Sequence, residues 1–403
     1  MSNKKTAGFV SALLRWFKAS ARGLPWRRTR DPYAIWVSEI MLQQTQVKTV
    51  IPYWERWMRE LPTIESAAKA SPAKIHKLWE GLGYYTRVRN LQKAAKQIIT
   101  QHGDHSEIRR RRGNESQIKN KSETPHVVSC RFPENFDDVL ALPGIGRYTA
   151  GAICSIAFNQ PTPILDGNVI RVLTRVFGIS ENPRQKEMNA KLWALAEALV
   201  NHALRISHHA THHAAGKSPG TRTKDEDDLA CSHLNQSLME LGALICTPRN
   251  PQCKICPVKK PCVAFHENRV DELPNLDKRA ASTPRHFIAF VVEHRGQFLV
   301  RQRPTGVVNA HLWEFPNLEC NGNKPDAKEV FKGIFGVVPP EIQPLCTVKH
   351  SITRYRITLE AYRVRGMHVS ANFADNKWLS LKRLDSLAFT SAHRRILKHF
   401  QER

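Results

Sequence analysis

Residues 142–168 read LPGIGRYTAGAICSIAFNQPTPILDGN, and this stretch decides the fold of the first part of the chain. Gly144 and Gly146 predict a tight turn whose backbone N–H groups point outward, unshielded by side chains, at the start of an apolar helix. Such a turn at a helix N-terminus can bind a phosphate group. Further on, after two prolines, Asp166 precedes a second apolar helix. The sequence therefore predicts two helices joined by a hairpin, followed by a carboxylate fixed at a helix start.

Each part of this stretch also has a purely structural interpretation. A Gly-x-Gly turn between helices is commonly only a turn, and an Asp at a helix start is commonly an N-cap. In combination, however, the turn, the proline-containing loop and Asp166 resemble the helix-hairpin-helix, Gly/Pro-rich loop and Asp of one superfamily of base-excision DNA glycosylases.

The composition indicates a polyanionic partner. Lys and Arg number 61 against 36 Asp and Glu, which gives a formal charge of +25, and such a balance is typical of nucleic-acid-binding proteins. A basic membrane-surface protein is the alternative class, but the positive charges are spread along the chain and no apolar run approaches the ~18 residues of a membrane span. We therefore expect DNA or RNA as the partner and no membrane.

The cysteines and the N-terminal segment bear on the compartment. Nine cysteines without a secretory signal indicate a reducing environment. Residues 6–22 form a basic amphipathic segment that could be a mitochondrial presequence, but its apolar stripe favours an ordinary first helix. We expect the protein in the cytoplasm, at the nucleoid, if it is bacterial, and in the nucleus or mitochondrion if it is eukaryotic.

Residues 33–46, YAIWVSEIMLQQTQ, predict a helix that is apolar nearly all round and therefore buried. Glu39 lies in its middle, where apolar neighbours would raise its pKa and keep the carboxyl protonated near neutral pH, as a general acid requires. A glutamate turned to solvent or paired with an arginine is the alternative. The segment 36–47, WVSEIMLQQTQV, resembles the one that carries the catalytic Glu in adenine DNA glycosylases of the MutY type, whereas related endonuclease III-type enzymes lack an acid there.

This resemblance implies several DNA contacts. Residues 81–90, GLGYYTRVRN, place two tyrosines beside two arginines, which suits stacking on bases and binding of phosphates, although a Tyr pair is equally typical of core packing. By resemblance, Tyr84 would insert into the duplex beside the target base, and Gln44 would enter the base stack. Gly144 and Gly146 would bind phosphate.

The resemblance also implies how the catalytic groups are arranged. In glycosylases of this superfamily that also cut the DNA backbone, a Lys two residues after the last hairpin glycine attacks the sugar. Tyr148 occupies that position here. Because a phenol cannot form an imine, the resemblance implies a monofunctional glycosylase, in which Tyr148 and Asn168 orient Glu39 and Asp166.

Four cysteines have the spacing C-x6-C-x2-C-x5-C and are Cys246, Cys253, Cys256 and Cys262. Prolines between them disfavour regular structure, so the four thiolates can close round one metal centre. A four-cysteine zinc site is the alternative, because spacing alone does not fix the metal. The segment resembles the [4Fe–4S] loop of endonuclease III and MutY-type enzymes. The resemblance implies a structural cluster that positions DNA and takes no part in hydrolysis.

After a polar linker at residues 266–284 the sequence period changes to two and predicts β-strands. Residues 306–319, GVVNAHLWEFPNLE, resemble the opening of a Nudix-like domain, which MutY-type proteins carry in an altered form. Nudix hydrolysis requires a Glu-rich metal helix, and the corresponding segment offers only Glu329. We therefore expect no magnesium site and a domain that binds without cutting.

By resemblance this domain recognises 8-oxoguanine opposite the target adenine. The loop that does so in the family commonly contains Phe-Ser-His, and this chain has Ile352, Thr353 and Arg354 in its place. Thr353 keeps a hydroxyl for the edge of the damaged base, whereas the aromatic ring and the imidazole are lost.

The predicted architecture is multidomain. An all-α helix-hairpin-helix glycosylase body with a [4Fe–4S] loop spans residues 1–265, and an α/β Nudix-like domain spans 285–403. Two polar segments, at about 104–131 and 203–231, are predicted insertions relative to the family. The second contains a cluster of four histidines, which we do not expect to form a specific metal site.

The predicted function is that of a monomeric adenine DNA glycosylase acting in base-excision repair. It would remove adenine mispaired with 8-oxoguanine or guanine in double-stranded DNA by hydrolysing the N-glycosidic bond of a flipped-out nucleotide. Two alternatives remain: a thymine or uracil mismatch DNA glycosylase, and a non-catalytic DNA-binding homologue.

Overall fold

The computed structural model describes residues 3–102, 131–214, 229–277, 281–320, 326–352, 354–369 and 375–402. The chain forms two compact units. The first comprises Met1–Lys69 and Asn90–Lys278, and the second comprises Ala70–Arg89 and Arg279–Arg403. The predicted boundaries at residues 265 and 285 stay a prediction, and the predicted loop residue Thr353 lies outside the described residues.

The first unit is helical. Its helices are α1 (Asn3–Ser20), α2 (Pro32–Leu42), α3 (Val47–Glu60), α4 (Ile64–Lys69), the larger part of α6 (Thr86–His102), α7 (Phe136–Leu140), α8 (Arg147–Phe158), α9 (Gly167–Phe177), α10 (Lys186–Ala214), α11 (Ala230–Leu244) and α12 (Val263–His266). The core joins apolar faces of α1, α9, α10 and α11. α10 continues to Ala214, so the second predicted insertion begins within a helix. Residues 215–228 of that insertion lie outside the described residues, as does nearly all of the first predicted insertion.

Local sequence explains why α2 begins and where it lies. Asp31 caps the helix by accepting a hydrogen bond from the Tyr33 backbone N–H at 3.0 Å, and Pro32 occupies the first turn, where no N–H is needed. Residues 33–41 are all buried, as the continuous apolar pattern predicts. α2 packs against α3 and α8, which fixes Glu39 inside the first unit.

The hairpin between α7 and α8 has the predicted form. Gly144 has a φ of +79°, and a Cβ at this position would lie 2.6 Å from the Cβ of Asn90. Both the left-handed backbone and the close approach therefore require glycine. Gly146 is the N-cap of α8, and nothing lies within 4 Å of the place where its Cβ would be, so the space beside Gly146 at this helix start is open.

The second unit contains a seven-stranded mixed sheet. Its elements are α5 (Pro72–Trp79), β1 (Thr283–His294), β2 (Gln297–Gln302), β3 (Trp313–Glu314), β4 (Asn317–Cys320), α13 (Ala327–Phe335), β5 (Gln343–Ile352), β6 (Tyr355–Arg365), β7 (Asn376–Ser380), α14 (Leu381–Ser386) and α15 (Ser391–Gln401). The order is β3-β2-β1-β6-β5, with β4 paired to β1 and β7 to β2. β1 and β6 run parallel, whereas the other pairs are antiparallel.

Alternation along β1 places helices on both faces of the sheet. Ile288 and Phe290 belong to a core with α13, whereas Ala289 and Val291 belong to a core with α14 and α15. Successive strand residues face opposite ways, so a strand buried on both sides reads as a continuous apolar run. No helix among the described residues is long and apolar enough to span a bilayer.

Candidate active site

A cleft of about 530 Å³ lies within the first unit. It brings together residues that are far apart in the sequence. The predicted site residues that line it are Gln44, Glu39, Tyr148, Asp166 and Asn168. Four of these were predicted to be catalytic, so the structure gathers the whole predicted catalytic set around one cavity.

Glu39 is the buried acid of this cleft, with 5% of its surface exposed. Burial raises the pKa of Glu39 from 4.5 to about 7. The hydrogen bond from Tyr148 and the charge of Arg27 oppose this shift, whereas the negative charge of Asp166 adds to it. A carboxyl with this pKa is substantially protonated at neutral pH and can donate a proton.

Tyr148 links α8 to the acid on α2. Its hydroxyl donates to Glu39 Oε2 at 3.0 Å and lies 3.0 Å from the sulfur of Met239. Burial, together with the nearby carboxylates of Glu39 and Asp166, raises the pKa of Tyr148 well above its usual value. The phenol is therefore a neutral donor that fixes the orientation of the Glu39 carboxyl.

Asp166 is the N-cap of α9, as predicted. Its Oδ1 accepts from the Val169 backbone N–H at 2.8 Å, and its Oδ2 accepts from Asn168 Nδ2 at 2.9 Å. Burial raises the pKa of Asp166, whereas these hydrogen bonds and the charge of Arg171 favour the carboxylate. The carboxyl is thus held rigidly, with donors in place for its charged form.

A second buried glutamate, which was not predicted from the sequence, borders the cleft. Glu240 accepts hydrogen bonds from Arg22 Nε and Nη2 at 2.8 and 2.6 Å, and from Arg27 Nη2 at 3.0 Å. Burial by itself would raise the pKa of Glu240, but the bonds from both arginines lower it to about 2. The sequence feature that could have identified Glu240 is the one that identified Glu39, namely an acidic residue within an apolar helix.

Arg171 connects the cleft to the cysteine segment. Its Nη2 donates to Asn168 Oδ1 at 2.8 Å and to the Gly242 carbonyl at 2.6 Å. Its Nε donates to the Cys246 carbonyl at 2.6 Å. One turn later on α9, Arg175 Nη1 lies 3.5 Å from Cys246 Sγ. The buried face of α9 therefore holds Asn168 and the first cysteine in a fixed relation.

The four predicted metal ligands line one cavity, which Arg175 and Lys259 also border; they are Cys246, Cys253, Cys256 and Cys262. Burial raises the pKa of Cys256 to about 12, and a bound metal would be needed to hold such a thiol as thiolate. Across the described ranges, no three side chains of His, Cys, Asp or Glu form a group that could hold a metal ion. Four thiols that border one cavity are a donor set of the kind that a thiolate-ligated centre uses, although in the described structure they are not gathered into a metal-binding group.

The predicted DNA-contacting residues lie in several places. Gln44 lines the cleft, is exposed, and has a φ of +56°. Gly144 and Gly146 lie in the hairpin and do not line the cleft. Tyr84 belongs to the second unit, with 43% of its surface exposed and a φ of +48°. Thr353 is outside the described residues.

Two family models match the chain. Residues 37–198 match the HhH-GPD superfamily base excision DNA repair protein, and residues 288–399 match a NUDIX domain. Together with the helical first unit and the mixed sheet of the second, these matches define a base-excision DNA repair protein with a Nudix-like C-terminal domain. The predicted fold class is confirmed.

Curated relatives narrow the class. The adenine DNA glycosylase of Rattus norvegicus is 32% identical over 98% of this chain and 78% of its own length. The adenine DNA glycosylase of Buchnera aphidicola subsp. Acyrthosiphon pisum is 30% identical over 98% of both chains. The chain belongs to the adenine DNA glycosylase family. A solved thermostable thymine-DNA glycosylase covers 66% of this chain and is itself covered to 98%, with 28% identity and a TM-score of 0.49.

Proposed function

We propose that this chain is a monofunctional adenine DNA glycosylase that removes adenine paired with 8-oxoguanine or guanine from duplex DNA. The observation that carries the proposal is Glu39, a buried carboxyl with a pKa of about 7 that lies in the same cleft as Asp166. The names of the relatives indicate that the base removed is adenine, and the residues of the cleft indicate how its bond to the sugar would be hydrolysed.

The first step in this proposal is protonation of the base. Adenine is a poor leaving group until N7 carries a proton, and Glu39 is the group that would deliver it to a nucleotide flipped into the cleft. The Tyr148 hydroxyl, 3.0 Å from Glu39 Oε2, would keep the acid aimed at the base. Because Tyr148 stands where bifunctional relatives have the nucleophilic Lys, no imine forms and the product is an abasic site.

The second step is stabilisation of the sugar. Departure of the base leaves positive charge on the deoxyribose, and Asp166 would oppose that charge electrostatically, or trap it covalently, before water attacks. The Asn168 amide donates to Asp166 at 2.9 Å, which restricts rotation of the carboxylate. A fixed negative charge stabilises a developing cation more effectively than a mobile one, because no reorganisation is needed as the charge forms.

We also propose that the cysteine segment holds a [4Fe–4S] cluster. Four thiols of the right spacing line one cavity, and the Arg175 guanidinium lies 3.5 Å from Cys246 Sγ. When bound, the cluster would support the fold of the segment and its approach to DNA. Zinc is the competing metal, and iron and zinc analysis of purified protein, with the visible absorbance of an iron–sulfur chromophore, distinguishes the two.

DNA recognition is divided among several residues in this proposal. Tyr84 and Gln44 would insert into the base stack, while Gly144 and Gly146 would offer backbone N–H groups to phosphate. The Nudix-like domain would recognise 8-oxoguanine through the segment of Ile352, Thr353 and Arg354, in a duplex bound by a monomer.

Single-turnover base release tests the function directly. We expect wild-type protein to release adenine from 8-oxoguanine:A and G:A duplexes and no thymine from a G:T duplex. Glu39→Gln and Asp166→Asn should each slow adenine release by at least about a hundredfold, as expected for loss of a general acid or of a charge at a developing cation. Thymine release would favour a thymine mismatch glycosylase, and an unchanged rate in Glu39→Gln would overturn the mechanism.

A further inference from the structure

The second unit contains a short segment from early in the chain. Ala70–Arg89 contains α5 and the turn at residues 80–85 that carries Tyr84, called here the Tyr84 turn. This segment belongs to the same unit as Arg279–Arg403. The glycosylase family model, by contrast, covers this segment as part of its continuous match over residues 37–198.

Glu80, directly after α5, makes the densest of these contacts. Its Oε1 accepts from Arg394 Nε at 2.7 Å and from the Phe389 backbone N–H at 2.8 Å. Its Oε2 accepts from Arg394 Nη2 at 3.1 Å and from Lys77 Nζ at 2.8 Å. The side chains of Glu80 and Arg394 are only 12% and 16% exposed. A largely desolvated carboxylate with charged donors at both oxygens makes strong, directional bonds.

The C-terminal end of α14 and its connection to α15 accept the remaining hydrogen bonds. Lys77 Nζ donates to the carbonyls of Asp385 and Leu387 at 2.5 and 3.1 Å. Arg394 Nη2 donates to the same Leu387 carbonyl at 2.5 Å, and Arg394 Nη1 lies 3.5 Å from Asp385 Oδ1. Glu80 thus sits in a network that includes two cations and the backbone of this connection.

Two more contacts fasten the other parts of the segment. Arg89 Nη1 donates to the Ala310 carbonyl at 3.2 Å. The imidazole of His76 stacks on that of His311, with ring centroids 6.4 Å apart and an interplanar angle of 12°. The segment is therefore held before, at and after the Tyr84 turn by residues of the C-terminal part of the unit.

The Tyr84 turn is itself internally braced. Arg87 Nη2 donates to the carbonyls of Leu82 and Gly83 at 2.9 and 3.1 Å, and Trp79 Nε1 donates to the Gly83 carbonyl at 3.1 Å. The Arg87 guanidinium also lies 5.6 Å from the centroid of the Tyr84 ring. Because the turn is rigid, fixing the position of Glu80 also fixes the position of Tyr84.

We propose that Glu80 is a positioning residue that locks the Tyr84 turn to α15, so that the second unit presents Tyr84 to the duplex. This inference rests on the proposed function, in which Tyr84 inserts beside the target base. Holding the turn in its bound geometry before DNA arrives removes part of the ordering cost of insertion. The C-terminal part of the chain would then contribute to DNA distortion in addition to recognition of the opposite base.

A double-mutant cycle tests this coupling with the full-length protein. The measurement is the dissociation constant for an 8-oxoguanine duplex that carries a non-hydrolysable adenine analogue. We expect Tyr84→Ala alone to weaken binding by about tenfold, the loss of one stacking contact. Glu80→Gln should weaken binding by a similar factor, and adding Tyr84→Ala to Glu80→Gln should cost little more, because the turn is already displaced.

Hydrogen exchange supplies a second readout, which does not depend on DNA. In Glu80→Gln, and likewise in Arg394→Lys, amides of residues 82–89 should exchange faster, while those of β1 and β6 keep their wild-type protection. The matched control is Glu272→Gln, which removes an exposed carboxylate 3.1 Å from Arg269 and should leave both binding and exchange unchanged.

The outcomes separate the two proposals. The positioning role is contradicted if the effects of Glu80→Gln and Tyr84→Ala on the dissociation constant multiply in the double variant. It is also contradicted if either single variant binds DNA like wild type, or if amide exchange over residues 82–89 is unchanged. If the wild-type protein also releases adenine, the proposed function survives that result. Wild-type protein that releases no adenine contradicts the proposed function itself, whatever the cycle shows.

Discussion

Glu39 and Glu240 border the same cleft and are both buried, yet they bind protons very differently. Glu39 accepts a hydrogen bond from the neutral phenol of Tyr148, and burial raises its pKa to about 7. Glu240 is bonded to the guanidinium groups of Arg22 and Arg27, which bring its pKa to about 2. Desolvation acts on both, so the bonded neighbours decide which glutamate can be a proton donor.

Glu39 should make the rate of base release depend on pH. Because Glu39 must be protonated to act, the single-turnover rate of adenine release should fall as pH rises through about 7. The Tyr148 hydrogen bond favours the Glu39 carboxylate and lowers its pKa. Tyr148→Phe should therefore raise that pKa and move the alkaline limb upward, by about one pH unit for a hydrogen bond to a charged group.

The measurement is a pH–rate profile for each variant with the enzyme in excess over DNA. Gln185→Ala, at an exposed position of the same unit outside the cleft, serves as a control whose profile should overlay that of wild type. A limb that moves to lower pH in Tyr148→Phe would show that the phenol acts in some other way than through the acid.

Helix α9 brings the cleft and the cysteine segment together. Its N-cap is Asp166, its first turn carries Asn168, and Arg171 and Arg175 follow on the buried face, spaced three to four residues apart. The facing helix α11 approaches closely at Gly242, where a Cβ would lie 2.7 Å from the Asn168 Cβ. Because Gly242 has no side chain, α9 and α11 can pack closely enough to fix the position of Asn168.

A glycine substitution tests that close approach. Gly242→Ala should displace Asn168 and with it the hydrogen bond to Asp166, lowering both stability, by about 1–3 kcal/mol for an overpacked contact, and the rate of base release. The control is Gly8→Ala in α1, where no atom lies within 4 Å of the added Cβ. That change should raise the melting temperature slightly, because Ala favours a helix over Gly, without affecting the rate.

Sequence pattern and family resemblance account for different parts of the structure. Periodicity predicted burial around Glu39, and the glycines predicted the hairpin, because both signals are local. The bond between Tyr148 and Glu39 joins residues 109 apart, so only the family resemblance could suggest it. The pairing of Arg22 with Glu240, 218 residues away, was missed, since a buried ion pair leaves no local pattern. The place of α5 in the second unit was missed for the same reason.

The net charge of the protein predicts how its affinity for DNA depends on salt. With a formal charge of +25, binding should release many counterions from DNA, so affinity for undamaged duplex should fall linearly on a log–log scale with salt. A loss of about 10³-fold between roughly 50 and 200 mM salt corresponds to several phosphate contacts. Fluorescence anisotropy of labelled duplex measures the slope.

Glu39→Gln provides the control for the salt series, because it removes the proposed proton donor from a buried site and leaves the surface charges in place. Its slope should equal that of wild type. A flat salt response would mean that the basic residues do not face DNA, and the assignment of the partner would have to change.

Placement of Ala70–Arg89 in the second unit also bears on how the protein is made. Glu80 and its partner Arg394 are separated by 314 residues, so the ribosome releases the Tyr84 turn long before α15 exists. Until translation nears its end, the Tyr84 turn lacks its partner helix and is accessible to chaperones and proteases. Premature stop codons late in the message would thus harm a region near the beginning of the polypeptide.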